Sequence, residues 1–275
     1  MRSPPGRGIV RSKAGGGLLF PTLDFALFFV AVFIVSWALR RSDGLRKLFL
    51  LAASYWFYAY WDWRFCFLLF FASFVAYAAG LLIAATASER GRKFVVGVAV
   101  ALLLAVLGFF KYYGFFVTSL ANVLAEIGWE RDLPMLEIIL PVGISFFTFH
   151  AISYIVDVYR GDARPRRSLT DILLYMSFFP PLVAGPIVRA AQFLPQLESR
   201  RRLTRRALAF GLTLSMIGLF KKMVVANYLA TDLVDPVFFD PSAYGTADLL
   251  FAVYGYAVQI YCDFSGYSDM AIGTA

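Results

Sequence analysis

One histidine and two cysteines are all that this 275-residue chain offers in the way of soft metal ligands. His150 by itself builds no histidine-rich centre. Cys66 and Cys262 both sit inside apolar runs, which leaves neither a disulfide framework nor a CxxC pair. No metal is therefore expected in the chemistry of this chain. Charge is sparse as well: Asp, Glu, Lys and Arg make up 16% of the residues, against about 25% in soluble domains. No glycine-rich phosphate loop and no nucleophile elbow is present. What fills the chain instead is apolar, with 60% hydrophobic residues and a mean hydropathy of +0.69. That composition describes a polytopic membrane protein. The net charge of +8 does not point to nucleic acid, because the basic residues cluster in short loops between apolar runs, where the positive-inside rule accounts for them.

Met1–Gly17 is polar, basic and rich in Gly and Pro, and is expected to be a disordered extension. The run that follows is interrupted by Pro21 and Asp24 and lacks a small-x-small cleavage site before Arg40, so it reads as a retained anchor helix. Segments of spanning length, about 17 to 25 residues, are Leu23–Leu39, Leu45–Tyr60, Phe65–Ala85, Phe94–Tyr113, Ile138–Tyr159, Ala207–Ala226 and Ala247–Ile272. The expected fold is thus an all-α transmembrane bundle of seven spanning segments. Two further stretches stand apart. Phe115–Ile127 is too short to span and reads as interfacial. Leu169–Val188 carries Pro180-Pro181 and Gly185-Pro186. Proline removes a backbone donor and clashes with the preceding turn, and non-helical backbone at membrane depth survives only against protein or a water-filled cavity. Leu169–Val188 is therefore expected to be a re-entrant element lining a cavity.

Loop charges orient the bundle. Arg40, Arg41, Arg46 and Lys47 mark one loop as cytoplasmic; Arg90, Arg92 and Lys93 a second; Arg160, Arg164, Arg166 and Arg167 a third; and the run from Arg189 through Arg200-Arg201-Arg202 to Arg206 a fourth. The acidic loops Glu126–Glu137 and Asp232–Asp248 fall outside. The basic tail at residues 1–17 dissents.

Ionisable side chains in hydrocarbon usually face a bundle interior or a wet cavity and are candidate functional residues. In Leu140–Gly161, helical spacing lines up Gly143, Phe146 or Phe147, His150, Tyr154 and Asp157 along one side. His150 either bonds a neighbouring helix or lines a substrate path. In the last segment Gly255, Gln259, Asp263, Gly266 or Tyr267, and Met270 form one seam, whereas Ser265 and Asp269 lie on another. Either Gly266 breaks that helix so that both aspartates meet a cavity, or one aspartate sits nearer the interface with its own partner. The block Tyr55–Arg64 reads as an interfacial aromatic belt, with a carbohydrate-stacking surface as the alternative. Lys221 and Lys222 read as snorkelling residues or ligands of an acidic headgroup.

Several pieces in order carry a resemblance: LLFPTLDF at 18–25, ASYWFYAYW at 53–61, FKYY at 110–113, LPVGISFFTF at 140–149, YIVDVYRG at 154–161, FFPPLVAGPIVR at 178–189 and YCDFSGYSDMAIG at 261–273. Together they resemble the membrane-bound O-acyltransferase family, in its bacterial branch of alginate and peptidoglycan O-acetyltransferases and the D-alanyl transfer protein of teichoic acid synthesis. Residues 18–275 would then be the N-terminal portion of such a domain. The resemblance implies transfer of an acyl group, typically acetyl, through a membrane-embedded tunnel to a hydroxyl of an exported polysaccharide. The donor would be an acyl thioester such as acetyl-CoA or an acyl carrier protein, used as co-substrate with no bound cofactor. It also implies membrane lipids and a periplasmic or extracellular acetyltransferase as partners, and a bacterial inner-membrane location. The family's catalytic histidine lies in a Trp-His segment past the last matching piece and is expected beyond Ala275. His150 is therefore not that residue, and this chain alone is expected to be inactive. The tunnel candidates are His150, Gly185, Pro186, Gln259, Asp263, Ser265, Tyr267 and Asp269. Two other readings compete: a proton-coupled transporter or flippase component using Asp263 and Asp269, and a non-catalytic scaffold for an acylation complex.

Overall fold

A computed structural model describes residues 22–126, 138–182, 185, 187–198 and 204–275. The expected extension at 1–17, most of the acidic loop 126–137, Pro186 and the basic run 200–202 lie outside the described residues. Helices dominate, and no strand occurs among the described residues. Helix α1 (Leu23–Ala38) starts where the Thr22 hydroxyl accepts the Phe25 N–H at 3.2 Å, with Asp24 in the positive first turn. A short turn, Leu39–Arg41, leads into α2 (Asp43–Asp62), and Trp63 separates it from α3 (Arg64–Ala85).

The next helix departs from expectation. Phe94–Tyr113 and Phe115–Ile127 are not two elements: α4 runs unbroken from Glu89 to Glu126, 38 residues. At 1.5 Å per residue it is about 57 Å long, well beyond the roughly 30 Å hydrocarbon core. Gly114 is the one residue between the two expected segments, and one glycine inside a helix costs about 1 kcal/mol, too little to stop it. Helix α5 (Ile144–Arg160) corrects the predicted start at Ile138. Gly143 takes a left-handed conformation (φ 75°) immediately before the helix, and Gly161 (φ 83°) ends it. The non-helical Val142 carbonyl is met by the Tyr58 hydroxyl at 3.0 Å.

The proline-rich stretch is broken as expected. Helix α6 (Leu169–Ser177) is capped by Ser168, and Phe178 leaves helical geometry before α7 (Phe179–Leu182). The chain resumes as α8 (Ala190–Phe193) and a turn at Leu194–Leu197. Arg166, before the segment, pairs with Glu198, after it. The stretch therefore enters and leaves at the same end of the bundle, which is what re-entrant means. Lys47 bonds Asp171 at 2.7 Å, Arg92 donates to the Tyr159 carbonyl at 2.7 Å, and Tyr77 donates to the Arg167 carbonyl at 2.9 Å. The described parts of the four basic loops thus gather at that end. Arg166 also holds the Glu198 carboxyl below the usual glutamate range by donating to it.

Helices α2 to α6 share the main core, with Leu69, Tyr154, Ile155 and Leu174 fully buried. Small residues of α3 make the close approach possible. A methyl group on Gly80 would lie 3.0 Å from the Tyr154 hydroxyl, so the tyrosine packs directly over the α3 backbone. A second core joins α1, α2 and α7 through Phe25, Phe57 and Phe179. The last third is a long antiparallel pair. Helix α9 (Arg205–Phe220) continues through a π turn (Lys221–Ala226), α10 (Asn227–Leu229), a second π turn (Ala230–Val234) and α11 (Asp235–Phe239). It packs along α12 (Thr246–Thr274), whose final turn is closed by the Ala275 N–H donating to the Ala271 carbonyl at 3.1 Å.

Four helical stretches among the described residues are long and apolar enough to cross a membrane: Leu23–Arg41, Arg64–Ala85, Glu89–Leu124 and Arg205–Phe239. The other three expected spans also form helices, α2, α5 and α12, but they are shorter or more polar. Helix α5 has 17 residues, α2 carries Arg46 and Lys47, and α12 carries Asp248, Asp263 and Asp269.

Candidate functional site

The break after α7 leaves backbone carbonyls with no helical partner, and buried carbonyls need one. At Val188 the need is met twice. The Tyr175 hydroxyl donates to its carbonyl at 2.7 Å, and His150 Nε2 lies 3.0 Å from the same oxygen. A carbonyl only accepts, so Nε2 carries the proton. The two donor rings meet edge to face at 4.2 Å between centroids. His150 is buried, and so are Phe147, Tyr154 and Asp157 along the same side of α5, as the helical spacing predicts. Gly143 is not part of that seam, since it precedes the helix. Asp157 Oδ2 is shut away with no hydrogen-bond partner among the described residues.

Beside this node lies a cavity of about 10 Å³ lined by Phe146, Phe147, His150, Pro181, Leu182, Gly185 and Ile187. That is room for about one water molecule. Of the expected tunnel residues, His150 and Gly185 therefore come together. Gly185 also faces α12: a methyl group there would sit 3.6 Å from the Ala271 side chain.

The aspartates of α12 are arranged differently. Gly266 does not break the helix, which is continuous from Thr246 to Thr274. Asp269 accepts from Lys221 Nζ at 2.7 Å, and Ser265 is 3.0 Å from the same nitrogen. Asp263 pairs with Lys222. Both carboxylates thus have a partner on α9's continuation, and Lys221 and Lys222 are ion-pair partners in place of the expected snorkelling or headgroup contact. The two adjacent lysines open a π turn, whose wider winding is common at functional sites. Gln259 lies one turn from Asp263 with its side-chain carbonyl buried and unpartnered. Tyr267 packs against the aromatic cluster of Phe25, Phe57 and Phe179. Of the eight candidates, His150 and Gly185 share the cavity, Asp263, Ser265 and Asp269 meet the two lysines, Tyr267 packs on the second core, and Pro186 lies outside the described residues. His150 is the one histidine of the chain, and its Nε2–H donates to the Val188 carbonyl.

The reason α9 and α12 lie so close is one that the sequence reading misses. Gly211 and Gly218 on one helix face Gly273 and Gly266 on the other, each pair seven residues apart. A methyl group on Gly218 would come within 2.5 Å of the Gly266 carbonyl oxygen, and one on Gly211 within 2.6 Å of the Gly273 carbonyl oxygen. Small residues at two-turn spacing let membrane helices approach backbone to backbone. The matching seven-residue spacings were the available signal. The Tyr175 contribution had no comparable signal, because nothing local marks a tyrosine as donor to a carbonyl 13 residues away.

No protein-family model matches the chain. Individual relatives do. The chain is 40% identical over 263 residues to a Pseudomonas aeruginosa protein named probable alginate O-acetylase AlgI, a match covering 93% of this chain and 48% of that protein. It is 32% identical over 286 residues to a peptidoglycan O-acetyltransferase of Helicobacter pylori, covering 93% of this chain and 53% of the relative. A teichoic acid D-alanyltransferase of Bacillus subtilis is 26% identical over 140 residues, or 49% of this chain. The chain spans about half the length of the O-acetylases it matches. Over 93% of its length the chain is thus a homologue of proteins named alginate O-acetylase and peptidoglycan O-acetyltransferase, and it corresponds to about half of such a protein.

Proposed function

We propose that the protein to which this chain belongs transfers an acyl group, in the first instance acetyl, to hydroxyls of an exported polysaccharide. The carrying observation is the similarity to O-acetylases across 93% of the chain, at up to 40% identity. In the proposed reaction an acceptor hydroxyl oxygen attacks the carbonyl carbon of an acyl thioester, such as acetyl-CoA or an acylated carrier protein. The C–O bond forms, the C–S bond breaks, and the hydroxyl proton leaves with the thiol. The base for that proton is assigned to a histidine in a segment beyond Ala275. Residues 18–275 supply the N-terminal portion of the domain, in the bacterial inner membrane, with a periplasmic or extracellular acetyltransferase as a further partner.

Within this chain, His150 and Gly185 are proposed as wall residues of the substrate path, with Pro186, Gln259, Asp263, Ser265, Tyr267 and Asp269 as further lining. No proton-transfer step falls to His150, whose Nε2 proton is engaged by the Val188 carbonyl. The test is acetyl transfer from labelled acetyl-CoA to purified alginate or peptidoglycan by membranes carrying the complete protein encoded at this locus. Base-labile label on the polymer is the expected result. Membranes that leave both polymers unlabelled, or a locus with no Trp-His segment in any frame downstream, overturn the proposal. Loss of labelling in the complete His150→Ala protein, at normal abundance, would overturn the wall assignment of that residue.

A further inference from the structure

Protein atoms do not fill the space between α1 and α2. The two helices leave an apolar groove of about 460 Å³, bordered by Ala31, Val32 and Val35 on α1 and by Phe49, Ala52 and Ala53 on α2. That volume falls within the roughly 300–1,000 Å³ of small-molecule sites. The lining positions recur at i, i+3 and i+4 on both helices, so each presents one continuous face, and the short side chains of Ala31, Ala52 and Ala53 leave the space between the faces open. One end of the groove is shut by the stacked rings of Phe28 and Trp56, 5.2 Å between centroids.

The other end is basic. Arg40 and Arg41 sit exposed in the turn that joins the two helices. Arg46 lies one helical turn before Phe49 and on the same face as Phe49, Ala53 and Trp56, at spacings of three, seven and ten residues. Its Nε is closed off from the surroundings and has no hydrogen-bond partner among the described residues. Its neighbour Lys47 differs, being bound to Asp171 at 2.7 Å. Even with Asp43 and Asp171 counted against Arg40, Arg41, Arg46 and Lys47, the groove's mouth stays net positive. A buried donor without an acceptor is costly, and a guanidinium matches the geometry of a phosphate.

We propose that this groove is a binding site for an anionic phospholipid, with one acyl chain lying between α1 and α2 and the phosphate held by Arg46 with help from Arg40 and Arg41. The seven residue steps from Phe49 to Trp56 rise about 10 Å, which fits within one leaflet of a hydrocarbon core about 30 Å thick. The basic mouth lies at the end where the four basic loops gather, the side on which anionic headgroups collect. Apart from the indole N–H of Trp56 at the closed end, the side chains that line the groove are all apolar. Charge complementarity at one end and an apolar slot below it together select a lipid over a soluble anion.

The experiment uses the whole chain, reconstituted with equal amounts of phosphatidylglycerol and phosphatidylethanolamine and examined by native mass spectrometry after mild delipidation. Phosphatidylglycerol is expected to be retained in preference. Arg46→Gln should lower its occupancy about fivefold to tenfold, an effect of the size expected for one headgroup-pairing arginine, and should lower phosphatidylethanolamine, whose ammonium offsets its phosphate, by less. Ala52→Phe fills the slot and should lower both. Helix content and thermal unfolding check that each variant folds. For the wild-type chain, which needs no variant, phosphatidylglycerol with a diazirine on its acyl chain should label the peptides containing residues 31–35 and 49–56. Equal retention of the two lipids, label confined to other helices, or a dimer that carries no lipid and covers the groove with a second copy would each overturn the proposal.

Discussion

Adding a single methyl group at Gly218 should pry apart the α9–α12 pair. The Cβ of Gly218→Ala would lie 2.5 Å from the Gly266 carbonyl oxygen and 2.9 Å from the Met270 amide nitrogen. Even close carbon–oxygen contacts are about 3.3–3.6 Å, so the helices must separate locally by about 1 Å. Both obstacles are backbone, and neither moves without its helix. Forcing extra carbon into a packed interface costs about 1–3 kcal/mol, and a gap of that width forfeits a quarter to a half of the neighbouring dispersion contacts. Helix propensity works the other way, since Ala is better than Gly by about 1 kcal/mol. A control removes that term. Gly108 in α4 has nothing within 4 Å of the position a Cβ would occupy, so Gly108→Ala carries the propensity gain without the clash. The difference between the two variants should therefore be about 1–3 kcal/mol, or roughly 2–12 °C in melting temperature, with Gly218→Ala the less stable. The assay is thermal unfolding of the chain in detergent, followed by circular dichroism and tryptophan fluorescence. Equal melting temperatures for the two variants would refute the close glycine contact. So would a Gly218→Ala protein more stable than wild type.

Three further outcomes follow from the same geometry. Lys221→Met leaves Asp269 without its ammonium partner and should destabilise by about 3 kcal/mol, whereas Lys221→Met combined with Asp269→Leu should recover most of the loss; a double variant as unstable as the single one would show that the pair is not coupled. Because the Val188 carbonyl has two donors, Tyr175→Phe and His150→Leu should each cost about 1 kcal/mol, and the combined variant more than their sum, since only then is the carbonyl orphaned; strict additivity in chemical unfolding would contradict the shared acceptor. The Glu198 carboxyl is held low by Arg166, so its folded-state pKa lies below the unfolded one and its stabilising effect is present above the ordinary glutamate range and lost as pH falls through the folded value. Wild type should therefore be more stable than Glu198→Gln at pH 7, the two should converge below about pH 4, and a gap that stays constant with pH would refute the pairing.

Much of the architecture was legible because hydrocarbon imposes strict rules. Apolar length located all seven expected helices, the charge runs placed four loops at one end, and Pro180-Pro181 with Gly185 marked the broken re-entrant stretch. The errors fell where local signals were weak. Gly114 lacks the strength to end α4, and Pro141 with Gly143 delays the start of α5 by a turn and a half beyond the apolar boundary at Ile138. Most of the candidate residues stood out as polar groups in apolar runs, yet their grouping was not readable. Periodicity orders residues around one helix and says nothing about which neighbour they meet.

Sequence by itself determined that this chain lies in a membrane, that its helices follow its apolar runs and that it is kin to the O-acetyltransferases, since composition, hydropathy and ordered motifs are one-dimensional properties. Tertiary structure alone decided that His150 and Tyr175 share the Val188 carbonyl, that Lys221 and Lys222 neutralise Asp269 and Asp263, and that four glycines bring α9 against α12. Each of these joins residues 13 to 62 positions apart, and the energy of such a contact depends on distance and exposure, which only the folded chain sets.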